Sequence, residues 1–187
     1  MNRIALVVGV SCSGKDFLIE KVKPFLPKVL LVVNYGEELF RELKQKYPKL
    51  GSRDQIRELE YWEIRESIKA VNYRLVQIQP VVVITHLVLR INGKLMTIPE
   101  SNSQLAPCLY IHISAPVNEI VNRRRAKNRR RDEISEVVRE TAFHQWFSAQ
   151  VAKQEAQKIG STFVQIWNTS DKLEENVSTL RQYLSSI

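Results

Sequence analysis

Long apolar runs, paired cysteines and histidine clusters are all missing from this chain of 187 residues. No apolar run approaches the roughly 20 residues that span a bilayer, and the short N-terminal run lacks the small-residue cleavage site of a signal peptide. The two cysteines, Cys12 and Cys108, lie far apart and match no metal-binding spacing. We therefore expect a soluble, unprocessed protein in the reducing cytoplasm, with no membrane partner.

Acidic side chains are absent from one strongly basic segment, residues 123–131. Subtracting its seven cationic side chains from the formal net charge of +8 leaves only +1 for the rest of the chain. The segment also lacks the interleaved aromatic residues that stack on single-stranded nucleic acids. This pattern favours one concentrated anion site over a general nucleic-acid surface. An RNA backbone bound through Arg123–Arg131 remains the alternative.

The most informative motif that is present is Gly9-Val10-Ser11-Cys12-Ser13-Gly14-Lys15, which fits the phosphate-loop pattern G-x-x-x-x-G-K. It lies between an apolar run at 4–8 and a helical pattern at 16–25. In such a loop, backbone N–H groups wrap a phosphate, the glycines permit the backbone angles, and the lysine neutralises the β and γ oxygens. The helix N-terminus adds its positive dipole end. All seven residues are therefore predicted to bind ATP, with Lys15 in a catalytic role.

Position 16 departs from the phosphate-loop pattern, because Asp16 stands where a Ser or Thr hydroxyl would bind Mg²⁺. A carboxylate beside a polyphosphate is repelled unless a cation lies between them. One interpretation is therefore that Asp16, as part of the ATP site, binds Mg²⁺ directly or through water. The other is that Asp16 favours the first helical turn through the helix dipole, with or without a ligand.

Short β-branched runs alternate with longer helical patterns, which is typical of a parallel sheet flanked by helices. Ser52 or Asp54 is predicted to cap the third helix, and Asn92-Gly93 predicts a hairpin within 89–98. No repeat or linker divides the chain, so we predict one α/β domain over 1–187 with a five-stranded parallel sheet. Strands are predicted at 3–8, 29–33, 80–85, 109–113 and 162–167, and helices at 16–25, 37–46, 54–78, 116–127, 134–158 and 171–185.

Several further segments resemble the archaeal type of adenylate kinase, and together they cover nearly the whole chain. The resemblance implies a three-layer P-loop kinase fold with a monophosphate-binding segment at about 35–79 and a lid at about 123–134. It implies the exchange of ATP and AMP with two ADP by in-line transfer with Mg²⁺, and it suggests a homotrimer. The segments are Asn34-Tyr35-Gly36, RDQIREL at 53–59, Thr85-His86, GKLMTIP at 93–99, NRRRD at 128–132 and His144-Gln145.

The resemblance also implies an acceptor-nucleotide site. Arg53 and Arg57 are four residues apart on the predicted third helix, so they would share a face and clamp the AMP phosphate. Alternatively, both arginines are solvated, Tyr35 packs in the interior, and His86 caps the following turn. The predicted acceptor contacts are Tyr35, Gly36, Arg53, Arg57, Thr85 and His86.

For the lid, the resemblance assigns catalytic roles to Arg129 and Arg131, and Arg124 is predicted to reach ATP from the preceding helix. A second departure concerns the metal: Ile84 stands where the family has an aspartate that holds the magnesium hydration shell. We hypothesise that Asp16 replaces this carboxylate. The alternative is a degraded site with weak activity.

The leading functional prediction is therefore a nucleoside monophosphate kinase of the adenylate type. One alternative is a P-loop kinase for a deoxynucleotide or a phosphorylated metabolite, and another is a nucleotide-dependent ATPase associated with RNA or the ribosome. Outside the site, His112 is expected to be a packed core residue and His144 to be structural. Trp62 is expected to fill the core rather than stack on a base.

Overall fold

The computed structural model describes residues 2–91, 94–97, 104–126 and 134–187. These residues form seven strands and six α-helices. The strands are β1 Ile4–Val8, β2 Leu31–Asn34, β3 Val81–Ile84, β4 Val88–Ile91, β5 Lys94–Thr97, β6 Leu109–Ser114 and β7 Thr162–Trp167. The helices are α1 Lys15–Val22, α2 Tyr35–Lys46, α3 Tyr61–Gln77, α4 Val117–Ala126, α5 Ile134–Lys158 and α6 Leu173–Leu184.

Five strands form one parallel sheet in the order β2-β3-β1-β6-β7. The central strand β1 is buried along its whole length because helices cover both faces. Alternate residues of the strands enter two apolar clusters, one against α2, α3 and α5 and the other against α1 and α6. The predicted five-stranded sheet between two helical layers is thus confirmed.

The prediction of one helix over 54–78 is wrong, because the chain turns at Leu59 and Glu60. Residues Arg53–Glu58 form a short 3-10 segment, and α3 begins only at Tyr61. Each segment starts with its own side-chain cap: Gln55 Oε1 accepts from the Ser52 N–H at 3.0 Å, and Glu63 Oε2 accepts from the Glu60 N–H at 2.7 Å. These two caps begin two separate helical segments.

This break changes the geometry predicted for the acceptor arginines. Arg53 and Arg57 lie in the 3-10 segment, which has about three residues per turn, so positions four apart do not share a face. The shared α-helical face predicted for them is therefore wrong.

The predicted hairpin is confirmed by the antiparallel pairing of β4 and β5, in which Val88 pairs with Thr97 and Ile91 with Lys94. The turn residues 92 and 93 lie outside the described residues. The hairpin begins two residues after His86, and α5 holds it, since His144 Nε2 donates to Val88 O at 3.1 Å. His144 thus has the structural role that was expected.

Two further expectations concern large side chains. His112 is fully buried in β6, as predicted. Trp62 is 72% exposed, so its predicted place in the core is wrong. The buried stripe of α3 runs through Ile68, Val71 and Leu75, and Trp62 points away from that stripe. In the part of the chain described, no helix combines the length and apolar character needed to cross a bilayer.

Candidate active site

The phosphate loop lies where the parallel strands end, the edge at which open α/β sheets bind their ligands. It connects β1 to α1, and Thr85 and His86 follow β3 at the same edge. Asn34 ends β2, and Asn168 directly follows β7. Residues at the ends of three other strands therefore lie around the loop.

Two glycines of the loop allow close backbone approaches. A Cβ on Gly9 would lie 2.5 Å from Ile113 O, and a Cβ on Gly14 would lie 2.2 Å from Asn168 Nδ2. Gly14 also has a φ of +91°, in the left-handed region that disfavours side chains. Cys12 has a φ of +69° without being a glycine, so the surrounding contacts hold it in an unfavourable conformation.

Every carbonyl oxygen from Gly9 to Gly14 accepts a hydrogen bond. Two of the donors are nearby backbone N–H groups, and the other four are side chains from distant segments. The donors fix the direction of each carbonyl, so the loop is organised before a ligand binds. The pairs are His86 Nδ1 with Gly9 O (2.7 Å), Ser13 N with Val10 O (3.2 Å), Arg124 Nε with Ser11 O (3.3 Å), Arg123 Nη1 with Cys12 O (3.3 Å), Asn168 Nδ2 with Ser13 O (2.9 Å) and Leu18 N with Gly14 O (2.9 Å).

The Lys15 side chain is buried against His86. Its Nζ lies 3.3 Å from His86 Nε2 and 3.8 Å from Asp16 Oδ2. Because Gly9 O can only accept, His86 Nδ1 carries the proton, and Nε2 is left to accept from the Lys15 ammonium. Burial lowers the pKa of Lys15 to about 8, although the Asp16 carboxylate partly opposes this shift. The nearby carboxylate thus offsets only part of the cost of burying the Lys15 ammonium.

Asp16 presents its carboxylate to solvent beside this lysine. Its side chain is 63% exposed, and its Oδ1 accepts from Asn34 Nδ2 at 3.4 Å. Asn34 pairs in register with Ile84, which is 6% exposed within the apolar core and offers no ligand atom. Among the described residues, no group of three His, Cys, Asp or Glu side chains could hold a metal ion by itself.

The predicted acceptor residues have different surroundings. Tyr35 packs in the core, as in the packing alternative, and its hydroxyl donates to Asn72 Oδ1 at 2.8 Å. Its predicted contact with the acceptor nucleotide stays a prediction. Gly36 leaves room for Arg53, whose Cδ would lie 3.2 Å from a Cβ at that position. Arg53 Nη1 donates to Glu37 Oε1 at 2.8 Å.

The other predicted acceptor and lid residues are less completely described. Thr85 is half-buried, and its N–H donates to Val7 O at 3.0 Å. The Arg57 side chain, Arg129 and Arg131 lie outside the described part of the structure, so their roles stay predictions. At the C-terminal end of α4, Arg124 also donates to Thr141 Oγ1 at 2.9 Å, which ties the loop to α5.

A buried polar network lies between β6 and α5, near the phosphate loop. His112 Nδ1 lies 3.0 Å from Ser114 Oγ and its Nε2 lies 3.3 Å from Ser148 Oγ. Burial lowers the pKa of His112 to about 4, and the charge of Lys15 adds to the effect, so this ring is neutral at pH 7. Gln145 binds both the N–H and the C=O of Ala115, at 2.9 and 3.0 Å. These bonds join the end of β6 to α5.

A family model described as an AAA domain matches residues 8–139, which include the phosphate loop and α4. The chain belongs to this AAA-domain family. The fold of this AAA-domain protein is similar to shikimate kinase from Bacteroides thetaiotaomicron, with a TM-score of 0.60 and 13% identity over 97% of both chains. It is also similar to shikimate kinase from Acinetobacter baumannii in complex with shikimate (TM-score 0.57, 14% identity, 98% of this chain and 94% of that one).

A third similar structure is the tunicamycin resistance protein of Deinococcus radiodurans (TM-score 0.51, 15% identity, 88% of this chain and 99% of that one). No curated protein sequence matches the AAA-domain protein. The predicted P-loop kinase fold is confirmed by these similarities, while the adenylate kinase type stays a prediction.

Three residues of the site escaped prediction in this AAA-domain protein: Asn34, Arg123 and Asn168. Arg123 belongs to a basic group from which only Arg124 was selected. Asn34 and Asn168 are polar residues at the ends of β2 and β7, and that position was the signal that could have identified them.

Proposed function

We propose that this AAA-domain protein is an ATP-dependent phosphotransferase. The observation that carries the proposal is the Lys15 ammonium, buried at a phosphate loop whose carbonyls are all held by donors. A buried cation with a lowered pKa gains most from an anion, because phosphate oxygens offset the cost of desolvation. In the proposed complex, the donor triphosphate takes the place of His86 as the main partner of Lys15.

Phosphoryl transfer needs positioning and neutralisation of charge more than covalent chemistry. Lys15 and the N-terminus of α1 neutralise the donor phosphates from the loop side. Arg123 and Arg124 already touch the loop at Cys12 O and Ser11 O, so small movements bring them onto phosphate oxygens. Arg129 and Arg131 are proposed to close over the transferring group and exclude water.

The proposed acceptor is a nucleoside monophosphate, with AMP as the first candidate. Arg53 supports this assignment, since it lies near enough to Lys15 for its charge to lower the lysine pKa. Its guanidinium is held by Glu37, and an acceptor phosphate would compete for the same donors. Arg53 therefore marks the acceptor side of the phosphate loop.

A second candidate acceptor is a small molecule that is not a nucleotide. One observation favours it: the Tyr35 ring is buried in the core and so is withdrawn from any acceptor base. A protein of similar fold, shikimate kinase from Acinetobacter baumannii, has a solved structure in complex with shikimate. Arg53 would serve equally well for the anionic group of such an acceptor.

An acceptor panel tests both candidates. With labelled ATP, we expect transfer to AMP and a rise of about tenfold in the KM for AMP when Arg53 is replaced by Gln, because a charged hydrogen bond to phosphate is lost. Arg41→Gln is the matched control, since Arg41 forms a similar ion pair with Glu38 on α2.

Transfer to a non-adenine acceptor with none to AMP would exclude the adenylate type. Hydrolysis of ATP that depends on RNA, without transfer to any acceptor, would favour the ATPase alternative. In that case, binding of RNA should fall steeply with salt and survive saturation with ATP.

The residues of the loop suit Mg²⁺ bound together with ATP. Mg²⁺ prefers one or two carboxylates, substrate phosphates and water over a cage made of protein side chains. Asp16 is an exposed carboxylate beside Lys15, and it is proposed to hold the ion directly or through water. When bound, the ion would neutralise charge on the donor phosphates.

Asp16→Ala is expected to raise the Mg²⁺ concentration for half-maximal activity about tenfold, since a ligand to the ion is lost. Asp16→Ser should shift it less, because a hydroxyl is the usual ligand at this position. Glu20→Ala removes an exposed carboxylate from the same helix and should leave the titration unchanged. An unaltered magnesium dependence in both Asp16 variants, with a loss of thermal stability only, would support the helix-dipole interpretation instead.

A further inference from the structure

Asn168 occupies a fixed position between the end of the sheet and the phosphate loop. It directly follows β7 and is 5% exposed. Its N–H donates to Ser114 O at the end of β6, at 2.7 Å. This bond ties the backbone at Asn168 to the end of the sheet.

That side chain spans 155 residues of sequence to contact the loop. Its Nδ2 donates to Ser13 O at 2.9 Å in a buried environment. Since a carbonyl oxygen only accepts, the nitrogen and not the oxygen of the amide must face Ser13. Arg123 Nη1 also lies close, 3.3 Å from the place that a Gly14 Cβ would occupy. The missing side chain of Gly14 is what makes room for the Asn168 amide.

The direction of the Ser13 carbonyl determines the direction of the next N–H. In a trans peptide the C=O and the N–H lie in one plane and point in opposite directions. Holding Ser13 O towards Asn168 therefore turns the Gly14 N–H to the opposite side. A peptide unit that precedes a glycine is easily flipped, because no Cβ opposes the rotation. Without a donor on Ser13 O, the flipped form would present a carbonyl in place of an N–H.

We propose that Asn168 is a positioning residue of the phosphate loop: its amide orients the Ser13–Gly14 peptide so that the Gly14 N–H points at the donor phosphate. The proposal rests on the proposed binding of ATP. In this proposal, the residue that follows β7 contributes to phosphate binding by orienting a backbone N–H of the loop. Asn168 itself need not touch the ligand.

The test compares Asn168→Ala and Asn168→Leu with Asn176→Ala by calorimetric titration of ATP and by thermal unfolding. Leu keeps the size of Asn without its donor. Asn176 is a matched control because it is also buried and donates to a carbonyl of the same connection, yet it does not touch the loop. We expect both Asn168 variants to bind ATP about tenfold more weakly, with thermal midpoints no lower than that of Asn176→Ala.

A spectroscopic readout separates positioning from general loss of stability. The chain has six glycines, so labelling with ¹⁵N-glycine yields few backbone amide signals. ATP should shift the Gly14 amide downfield in the wild type and in Asn176→Ala, but not in Asn168→Ala. Equal ATP affinity in the Asn168 variants and the wild type, or equal weakening in Asn176→Ala, would overturn the proposal. A wild-type protein that binds no ATP would overturn the proposed function, and this inference with it.

Discussion

Replacing Lys15 with methionine is expected to lower the turnover number for phosphoryl transfer by about 10²–10³-fold, the usual effect of removing one donor that stabilises transition-state charge. Methionine has a similar length and no charge, so it fills the same buried space beside His86. Lys21→Met removes an exposed lysine from the same helix and should retain wild-type turnover. Steady-state kinetics with AMP as acceptor provide the measurement, and turnover within twofold of the wild type would remove Lys15 from the mechanism.

The same variant has an effect on stability that depends on pH. The pKa of Lys15 is about 8 in the folded protein, against 10.5 for a free lysine. Below pH 8 both states are protonated, and the folded state bears the full cost of the buried charge. Between these two pKa values the unfolded state binds more protons, so wild-type stability rises with pH. Above 10.5 both states are neutral, and the cost disappears.

The free energy of unfolding of Lys15→Met should therefore be compared with that of the wild type at each pH. The difference, variant minus wild type, should be about 3 kcal/mol larger near neutral pH than above the upper pKa. Other titrating groups are common to both proteins and cancel in the difference. Urea unfolding of the two proteins in phosphate-free buffers of increasing pH measures this difference in unfolding free energy. A difference that stays constant across this range would show that the buried ammonium does not limit stability.

Gly14→Ala is expected to have the second large effect, a loss of ATP affinity of about 100-fold or more. An alanine at a φ of +91° is strained by roughly 1–3 kcal/mol, and its Cβ would also displace the Asn168 amide from Ser13 O. The Asn168 side chain has little freedom to relieve this clash, because its backbone N–H is bonded to Ser114 O at the end of β6. ATP affinity is measured by calorimetry, and unfolding in urea gives the accompanying loss of stability.

Gly160→Ala is the matched control for this substitution. Gly160 also has a positive φ, of +69°, but an added Cβ there would meet no atom within 4 Å. Its loss of stability, about 1 kcal/mol, therefore reports the backbone strain alone. Gly14→Ala should lose more stability than this control, and only Gly14→Ala should lose ATP. Wild-type affinity in Gly14→Ala would contradict the close approach of Asn168 to the loop.

Much of the fold could be predicted from sequence because its strongest signals are local. The buried strands are short apolar runs, and α5 was predicted at its observed bounds, 134–158. The break before α3 was missed although Ser52-Arg53-Asp54-Gln55 fits a capping box that begins a separate segment. The prediction instead extends the apolar spacing of α3 backwards over this segment. Periodicity prevailed over a capping signal that was present.

The site divides in a similar way. The phosphate loop is one contiguous motif, so all its residues could be identified together. Arg123 and Asn168 bind main-chain carbonyls, and any residue type offers a main-chain carbonyl, so no pairing of residue types marks such contacts. Tyr35 shows the opposite case, in which a residue next to a recognised motif has its side chain in the core.

The side-chain donors on the loop carbonyls come from the ends of β3, α4 and β7, which are far apart in the sequence. During synthesis, the seven-residue motif leaves the ribosome long before Asn168 does. A nascent chain that stops short of β7 would thus contain the whole motif and still lack one of the donors that shape it. Full affinity for nucleotide is then acquired late, as a property of the completed sheet.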